Sequence, residues 1–132
     1  MVHVGRKRSL VVGVAVVAAL ALSSVGLAAG GLSGTYTTTI KSPAQLKGRW
    51  VLTLAQGGSY TVVWNGQSVA RGRYTSTATT IRLDRERGSG CNGPGTYTWK
   101  RSGTAVRFTR KRESASCQGR AIILSHRFTR VS

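Results

Sequence analysis

A chain of 132 residues has room for one domain with a modest hydrophobic core. Lysine and arginine outnumber aspartate and glutamate by 20 to 3, which gives a formal charge of +17. So few carboxylates weigh against the paired-acid sites of hydrolases, and a field of this sign favours anionic partners and opposes self-association, which predicts a monomer.

The first thirty residues have the three parts of a secretory signal peptide. Basic residues 6–8 precede an apolar run, residues 10–22, and small residues follow. Cleavage after Ala28 fits this pattern, and a cut after Gly30 is the alternative. An uncleaved membrane anchor is a second interpretation, because the apolar run and the small residues approach the length of about 20 that crosses a bilayer. Both interpretations place residues 31–132 outside the cytoplasm, because the basic flank stays inside.

After residue 30 the apolar side chains recur with a period of two, which is typical of strands. Residues 42–46 are expected to form one short helical turn. Asn65-Gly66 predicts a two-residue hairpin turn, and Gly72 predicts a bulge or bend. Residues 120–124 fit either a short helical turn or an irregular strand. The strands themselves are predicted at residues 36–40, 49–54, 60–64, 67–76, 79–85, 97–99, 106–108 and 127–131.

Short strands separated by a turn every 8–12 residues are typical of a sandwich or a barrel. One apolar face per strand predicts a single interior, and closure would remove exposed strand edges. We therefore expect an all-β fold, a small antiparallel up-and-down barrel of about eight strands. Such an interior is filled by side chains or holds one small ligand.

The two cysteines, Cys91 and Cys117, predict one disulfide in an exported domain of this size. Closing the loop between them would remove about 3–4 kcal/mol of unfolded-state entropy. Two cysteines and the single histidine after the leader do not make a zinc site. No metal and no other cofactor is expected.

The segment Gly48-Arg49-Trp50 is a Gly-x-Trp preceded by a short turn, and it resembles the pattern that starts the first barrel strand of lipocalins and the wider calycins. Together with residues 60–74, residues 97–99 and Cys117-x-x-Arg120, it resembles small secreted bacterial lipocalin-like proteins of unassigned function. The resemblance covers about residues 34–131. It implies a lipocalin-like barrel domain over residues 31–132, preceded by the signal helix.

In lipocalins the tryptophan of this motif lies at the closed end of the barrel, and an arginine near the last strands packs across its ring. Trp50 matches that tryptophan, and the resemblance leaves Arg120, Arg127 and Arg130 as candidates for the arginine. Lipocalins usually also carry a C-terminal helix. Its absence after the last predicted strand implies a smaller ligand cavity.

The function that follows is a secreted, non-enzymatic binding module for a small apolar molecule. The alternative for the same side chains is that they fill the barrel and leave no room. The candidate ligand contacts are the inward-facing aromatic residues Trp50, Tyr60, Trp64, Tyr97, Trp99 and Phe108.

A second candidate function is adhesion to anionic envelope polymers or lipid head groups. Arginine, which outnumbers lysine by 13 to 4 after residue 30, favours bidentate contacts with phosphate and carboxylate. Specific nucleic-acid binding is not expected, because stacking platforms need exposed aromatic side chains. The candidate anion contacts lie on adjacent strands and turns: Lys100, Arg101, Arg110, Lys111 and Arg112.

No catalytic residue is expected. Asp84 and Glu86 are predicted to share one exposed, salt-bridged face of a strand, and Glu113 is expected in a solvated loop. His126 could act as a general base, but the sequence has no Gly-x-Ser-x-Gly motif to supply a nucleophilic serine. Residues 88–93 fit Gly-x-Gly-x-x-Gly, but a strand follows them rather than the helix that a nucleotide site requires.

Overall fold

The computed structural model describes residues 31–132, and the signal peptide or anchor expected in residues 1–30 lies outside this part. One helix, α1 (Gln118–Leu124), and two short 3-10 turns, Ala44–Leu46 and Ala115–Cys117, accompany the strands. The strands are β1 (Gly34–Ile40), β2 (Gly48–Leu54), β3 (Ser59–Trp64), β4 (Gln67–Ser76), β5 (Thr80–Arg87), β6 (Gly95–Ser102), β7 (Ala105–Glu113) and β8 (Phe128–Arg130).

Each strand pairs antiparallel with the next one along the chain, and β8 pairs with β1 to close the sheet. The expected all-β, eight-stranded, up-and-down barrel is confirmed. The closing seam is short, because β8 has three residues and meets β1 at Tyr36↔Arg130 and Thr37↔Thr129.

Local backbone geometry explains where the hairpins turn. Asn65 and Gly66 have φ of 49° and 86°, the left-handed pair that a tight hairpin needs. The side chain of Asn65 accepts a hydrogen bond from the N–H of Arg49 at 2.9 Å and lies over Gly48. Because Gly48 has a φ of +133°, any larger residue there would be strained and would collide with Asn65. The glycine of the Gly-x-Trp motif is thus required by the turn that faces it.

The register of β4 and β5 shifts between Arg71 and Arg73, which confirms the bulge expected at Gly72. On the β5 side, Arg85 has a φ of 54°, and the extra residue resets the alternation of side chains. Asp84 is therefore partly exposed, whereas the side chain of Glu86 is 5% exposed. The prediction that these two carboxylates share an exposed face is wrong.

The predicted interior side chains are buried or half-buried. Leu32 adds to them at the end where β1 begins, where its carbonyl accepts a hydrogen bond from Tyr36 at 2.6 Å. Val62, Trp64 and Trp99 are half-buried. The main core consists of Leu32, Tyr36, Leu52, Leu54, Tyr60, Tyr74, Ile81, Leu83, Tyr97, Val106, Phe108, Leu124 and Phe128.

The predicted disulfide is confirmed. Cys91 in the β5–β6 loop is bonded to Cys117, which directly precedes α1. A disulfide is typical of proteins outside the reducing cytoplasm. Residues 120–124 adopt the helical alternative, and the helix starts two residues earlier, at Gln118. Within residues 31–132, no helix has the length and apolar character to cross a membrane.

Candidate functional site

A cavity of about 310 Å³ lies at the end of the barrel where β2 begins and β3 ends. The helix α1 and the disulfide form part of its wall, together with strands β2 to β5. Its lining is mainly apolar, with Trp50, Trp64 and Val62 on the strands and Ile123 on the helix. The polar side chains that reach it are those of Glu86, Ser89, Ser116 and Arg120.

Two tryptophans form the best-fixed apolar surface of the cavity. Trp50 and Trp64 are direct cross-strand partners, and their rings stack with centroids 5.0 Å apart and an interplanar angle of 11°. Each indole N–H donates to the loop before β2, Trp50 to the carbonyl of Leu46 at 2.8 Å and Trp64 to that of Lys47 at 3.0 Å. Both rings are therefore oriented before any ligand arrives.

A buried ionic cluster borders the same cavity. The Arg120 guanidinium makes two hydrogen bonds to the carboxylate of Glu113, at 2.6 and 2.9 Å, and one to the carbonyl of Gly93 at 3.1 Å. Its remaining terminal nitrogen lies 3.5 Å from the carboxylate of Glu86. These charged side chains are at most 6% exposed.

Two tyrosines complete the cluster. Tyr60 donates to Glu86 at 2.6 Å, and Tyr97 donates to Glu113. Burial raises the pKa of Tyr60 well above its ordinary value, and the hydrogen bond to Glu86 raises it further. Burial and the hydrogen bond to Glu113 raise the pKa of Tyr97 in the same way. Both hydroxyls therefore stay protonated and act as donors.

Arg120 and Glu113 hold each other in their charged forms. Burial acts to lower the pKa of Arg120, but the hydrogen bonds and charge of Glu113 outweigh it, and the pKa is raised. Burial likewise acts to raise the pKa of Glu113, but the hydrogen bonds from Arg120, Tyr97 and the N–H of Ser114 lower it. By formal charge, one guanidinium and two carboxylates give the cluster a net charge of −1.

Two strand glycines make room for this cluster. A Cβ on Gly95 would lie 2.7 Å from a terminal nitrogen of Arg120 and 2.5 Å from the oxygens of Glu113. A Cβ on Gly72 would lie 2.7 Å from the ring of Tyr60. The bulge that contains Gly72 therefore also seats the tyrosine that binds Glu86.

Of the six predicted ligand contacts, three line the cavity and three do not. Trp50, Tyr60 and Trp64 line the cavity. Tyr97 instead binds Glu113, and Phe108 packs edge-on against Phe128 with ring centroids 5.9 Å apart.

Trp99, the last of the six, lies away from the cavity. Its indole N–H contacts the carbonyls of Thr77 and Thr80 at 3.1 and 3.2 Å. Its ring is covered by Arg101 at 5.6 Å.

None of the three candidate arginines packs across Trp50. Arg120 borders the cavity but is engaged by Glu113, and Arg130 donates to the carbonyl of Ser132 at 3.0 Å. Arg127 is exposed next to β8. Among residues 31–132, the only cation recorded over an aromatic ring is Arg101 over Trp99. The partner of Trp50 is another tryptophan instead.

Glu86 and Glu113 were missed as interior residues. Glu113 was expected in a solvated loop, but it ends β7 with its side chain 1% exposed. The register shifts where Thr96 and Tyr97 pair with Arg112 and Arg110, and this extra residue turns Glu113 inward. The usable signal was the scarcity of acids, since the chain has only three and all of them lie in strands.

The predicted cationic contacts Lys100, Arg101, Arg110, Lys111 and Arg112 are all exposed. The last three belong to β7 rather than to a turn. Lys100 pairs with Arg107, whereas Arg112 pairs with Thr96. Arg110 pairs with Tyr97, so three to four residues of strand separate Lys100 from the second group, about 10–13 Å along adjacent strands.

The exposed charge is almost entirely positive. Of the 17 lysines and arginines in the described part of the chain, all except Arg120 are exposed. Asp84 is the one acid whose side chain reaches solvent, at 34% exposure, and it pairs with Arg82 at 3.1 Å. Arg71 and Arg87 face each other directly across β4 and β5 and border a shallow cavity of about 200 Å³.

Comparison with known proteins finds no matching family model, no matching curated protein and no matching solved structure. Within residues 31–132, no group of three or more His, Cys, Asp or Glu side chains is placed to hold a metal ion. Function is therefore inferred from the cavity, the buried ionic cluster and the surface charge.

Proposed function

We propose that this protein is a secreted, non-enzymatic, lipocalin-like binding module that holds a small, mainly apolar molecule. The main support for this proposal is the cavity of about 310 Å³ bordered by Trp50, Trp64 and α1. Ligand pockets are typically about 300–1,000 Å³, mostly apolar, with a few placed polar groups. The lipocalin-like character is supported by the closed eight-stranded meander and by the position of Gly48-Arg49-Trp50 at the start of β2.

The cavity wall is rigid before binding. Hydrogen bonds to the backbone fix both indoles, and the disulfide ties the β5–β6 loop to the start of α1. Binding to a site that is already ordered costs less side-chain and loop entropy than binding to a mobile one. This supports a carrier rather than a barrel whose side chains merely fill its interior.

The experiment is native mass spectrometry of the protein as the cell exports it. The expected result is a reproducible extra mass that is lost, with affinity reduced about tenfold or more, in Trp64→Ala. Trp99→Ala is the matched control, because Trp99 is also half-buried and anchored to backbone carbonyls but does not line the cavity. Circular dichroism and thiol titration would verify that both variants fold and keep the disulfide.

A ligand-free mass would contradict the proposal if, in addition, small apolar compounds fail to change tryptophan fluorescence. Equal loss of binding in Trp64→Ala and Trp99→Ala would also contradict it. That pattern would place the ligand outside the cavity.

A second candidate function, adhesion to an anionic envelope polymer, is favoured by the segregation of charge. Arg71 and Arg87 are like charges directly opposite each other, an arrangement that destabilises a sheet unless an anion lies between them. A soluble polyphosphate is the probe, and binding should weaken as salt shortens the screening length.

The double variant Arg71→Gln/Arg87→Gln is expected to bind polyphosphate more weakly than the control Lys100→Gln/Arg101→Gln, which removes the same charge elsewhere. Equal weakening would mean diffuse attraction with no site. Binding to anionic vesicles but not to polyphosphate would favour lipid head groups instead.

A further inference from the structure

The two buried carboxylates are neutralised unequally. Glu113 receives both parallel hydrogen bonds of the Arg120 fork, at 2.6 and 2.9 Å, whereas Glu86 has one contact to that guanidinium at 3.5 Å. The two parallel, charge-assisted hydrogen bonds pair the guanidinium mainly with Glu113. The excess negative charge of the cluster therefore lies mainly on Glu86.

Glu86 is also the carboxylate that borders the cavity. Its oxygens accept hydrogen bonds from Tyr60, from Ser89 and, at longer range, from Arg120. An ionised carboxylate has about four acceptor positions, so these donors leave one position open. Its side chain is 5% exposed, which means that a donor for that position has to come from inside the cavity.

An anionic ligand does not suit this site. Four of the five N–H groups of Arg120 are already engaged, two by Glu113, one by Glu86 and one by the carbonyl of Gly93. An anion beside it would add to a cluster of net charge −1 in a partly dry environment, where like charges strongly disfavour each other. Among residues 31–132, Arg120 is the only cation that lines the cavity.

A cationic head group suits it on two counts. Charge-assisted hydrogen bonds to a carboxylate are among the strongest in proteins, and indole rings attract cations at their faces. Trp50 and Trp64 border the same cavity as Glu86, so one molecule can meet both kinds of group. The exposed surface cations oppose a cationic ligand, but solvent screens them over about 8 Å at physiological salt.

We propose that the ligand is a small apolar amine, held with its ammonium group against Glu86 and its apolar part against the tryptophans. This inference rests on the proposed binding function and specifies its ligand class. At about 30 Å³ per water-sized group, the cavity of about 310 Å³ takes about ten non-hydrogen atoms.

The experiment compares octylamine, octanol and octanoate, which share one apolar chain and differ in head group. Binding to the exported protein is measured by tryptophan fluorescence and calorimetry at physiological salt. Octylamine is expected to bind about tenfold more tightly than octanol, and octanoate more weakly than octanol. In Glu86→Gln the advantage of the amine over the alcohol should disappear.

The control variant is Asp84→Asn, which removes a carboxylate from the same strand but from the exposed face, and it should keep the preference. If all three compounds bind equally, or octanoate binds best, the amine proposal is overturned while the binding function stands. If none of the three binds, the binding function itself is contradicted. The wild-type comparison decides the question even if Glu86→Gln does not fold.

Discussion

Glu113 accepts four hydrogen bonds inside the barrel: two from Arg120, one from Tyr97 and one from the N–H of Ser114. Glu113→Gln would leave the Arg120 guanidinium buried with only the distant Glu86 as its ionic partner. Removing one member of a buried pair typically costs about 3–5 kcal/mol. We expect a loss of that size in urea unfolding, measured at neutral pH.

Asp84→Asn serves as the comparison, because the Asp84–Arg82 pair is exposed and such pairs contribute about 0–1 kcal/mol. Equal losses in the two variants would mean that the buried cluster has no special role in stability. A small loss in both would lead to the same conclusion.

The pH dependence of stability follows from the same side chains. In the folded state the pKa of Glu113 is lowered from its ordinary 4.5. The contribution of Glu113 to the free energy of unfolding is therefore complete above pH 4.5, and it is lost as the pH falls through the pKa of the folded state. The pKa values of Tyr60 and Tyr97 are raised from 10.0, so their contribution is complete below pH 10 and is lost above it, as the unfolded chain ionises.

Urea unfolding across this pH range should therefore give a plateau with two declining sides. Each group whose pKa differs between the folded and unfolded states changes the free energy of unfolding by at most about 1.4 kcal/mol per pH unit. Glu113→Gln should flatten the acid side, and Tyr60→Phe should reduce the slope above pH 10. A slope above pH 10 that Tyr60→Phe leaves unchanged would contradict the assignment.

At the level of elements, the sequence predicted whatever depends on neighbouring residues. The hairpin at Asn65-Gly66 follows from two left-handed residues and is confirmed, and the helical turn predicted at residues 42–46 is found at Ala44–Leu46. Gly72 marked the irregularity between β4 and β5, but it did not reveal that the extra residue lies in β5. The burial of Glu86 and Glu113 was not predicted. Their orientation depends on an extra residue in β5 and in β7, and where a strand takes up an extra residue is decided by its partner strand.

The bulge in β5 carries its own prediction. Arg85 has a φ of 54°, a conformation that costs a non-glycine residue about 1–2 kcal/mol and suits β-branched residues least. Arg85→Gly should leave the melting temperature unchanged or higher, whereas Arg85→Val should lower it by several degrees. Arg87→Val, at an exposed position of the same strand, is expected to leave it unchanged or raise it, because the variant also removes one of two facing like charges. A loss in Arg85→Gly as large as that in Arg85→Val would contradict this account.

For the molecule as a whole, the disulfide closes a loop over a sequence separation of 26 residues. On the loop-entropy model this is worth about 3.5 kcal/mol. The double variant Cys91→Ala/Cys117→Ala should lose about that much free energy of unfolding and should still show the far-UV spectrum of a barrel. An unchanged stability would mean that the unfolded state is already compact without the bond.

In the molecule as a whole, positive charge lies on the surface and most of the negative charge lies inside the barrel. The composition predicted a cationic surface, but it could not reveal that two of the three acids lie inside with Arg120. In residues 31–132 the 16 exposed cations and the partly exposed Asp84 give the exterior a formal charge of +15, slightly above the +14 of this part of the chain, and the interior cluster has the opposite sign. The cavity and the outer wall therefore differ in the sign of their charge.

The disulfide has a consequence for the cavity that it borders, since Cys91 and Cys117 both belong to the lining. Reduction would release the β5–β6 loop from the start of α1 and so remove part of one wall. By thermodynamic reciprocity, a ligand that prefers the intact cavity makes the cystine harder to reduce, by the same free energy that the cystine adds to the affinity. Reduction of the cystine would weaken the binding of such a ligand by the same factor.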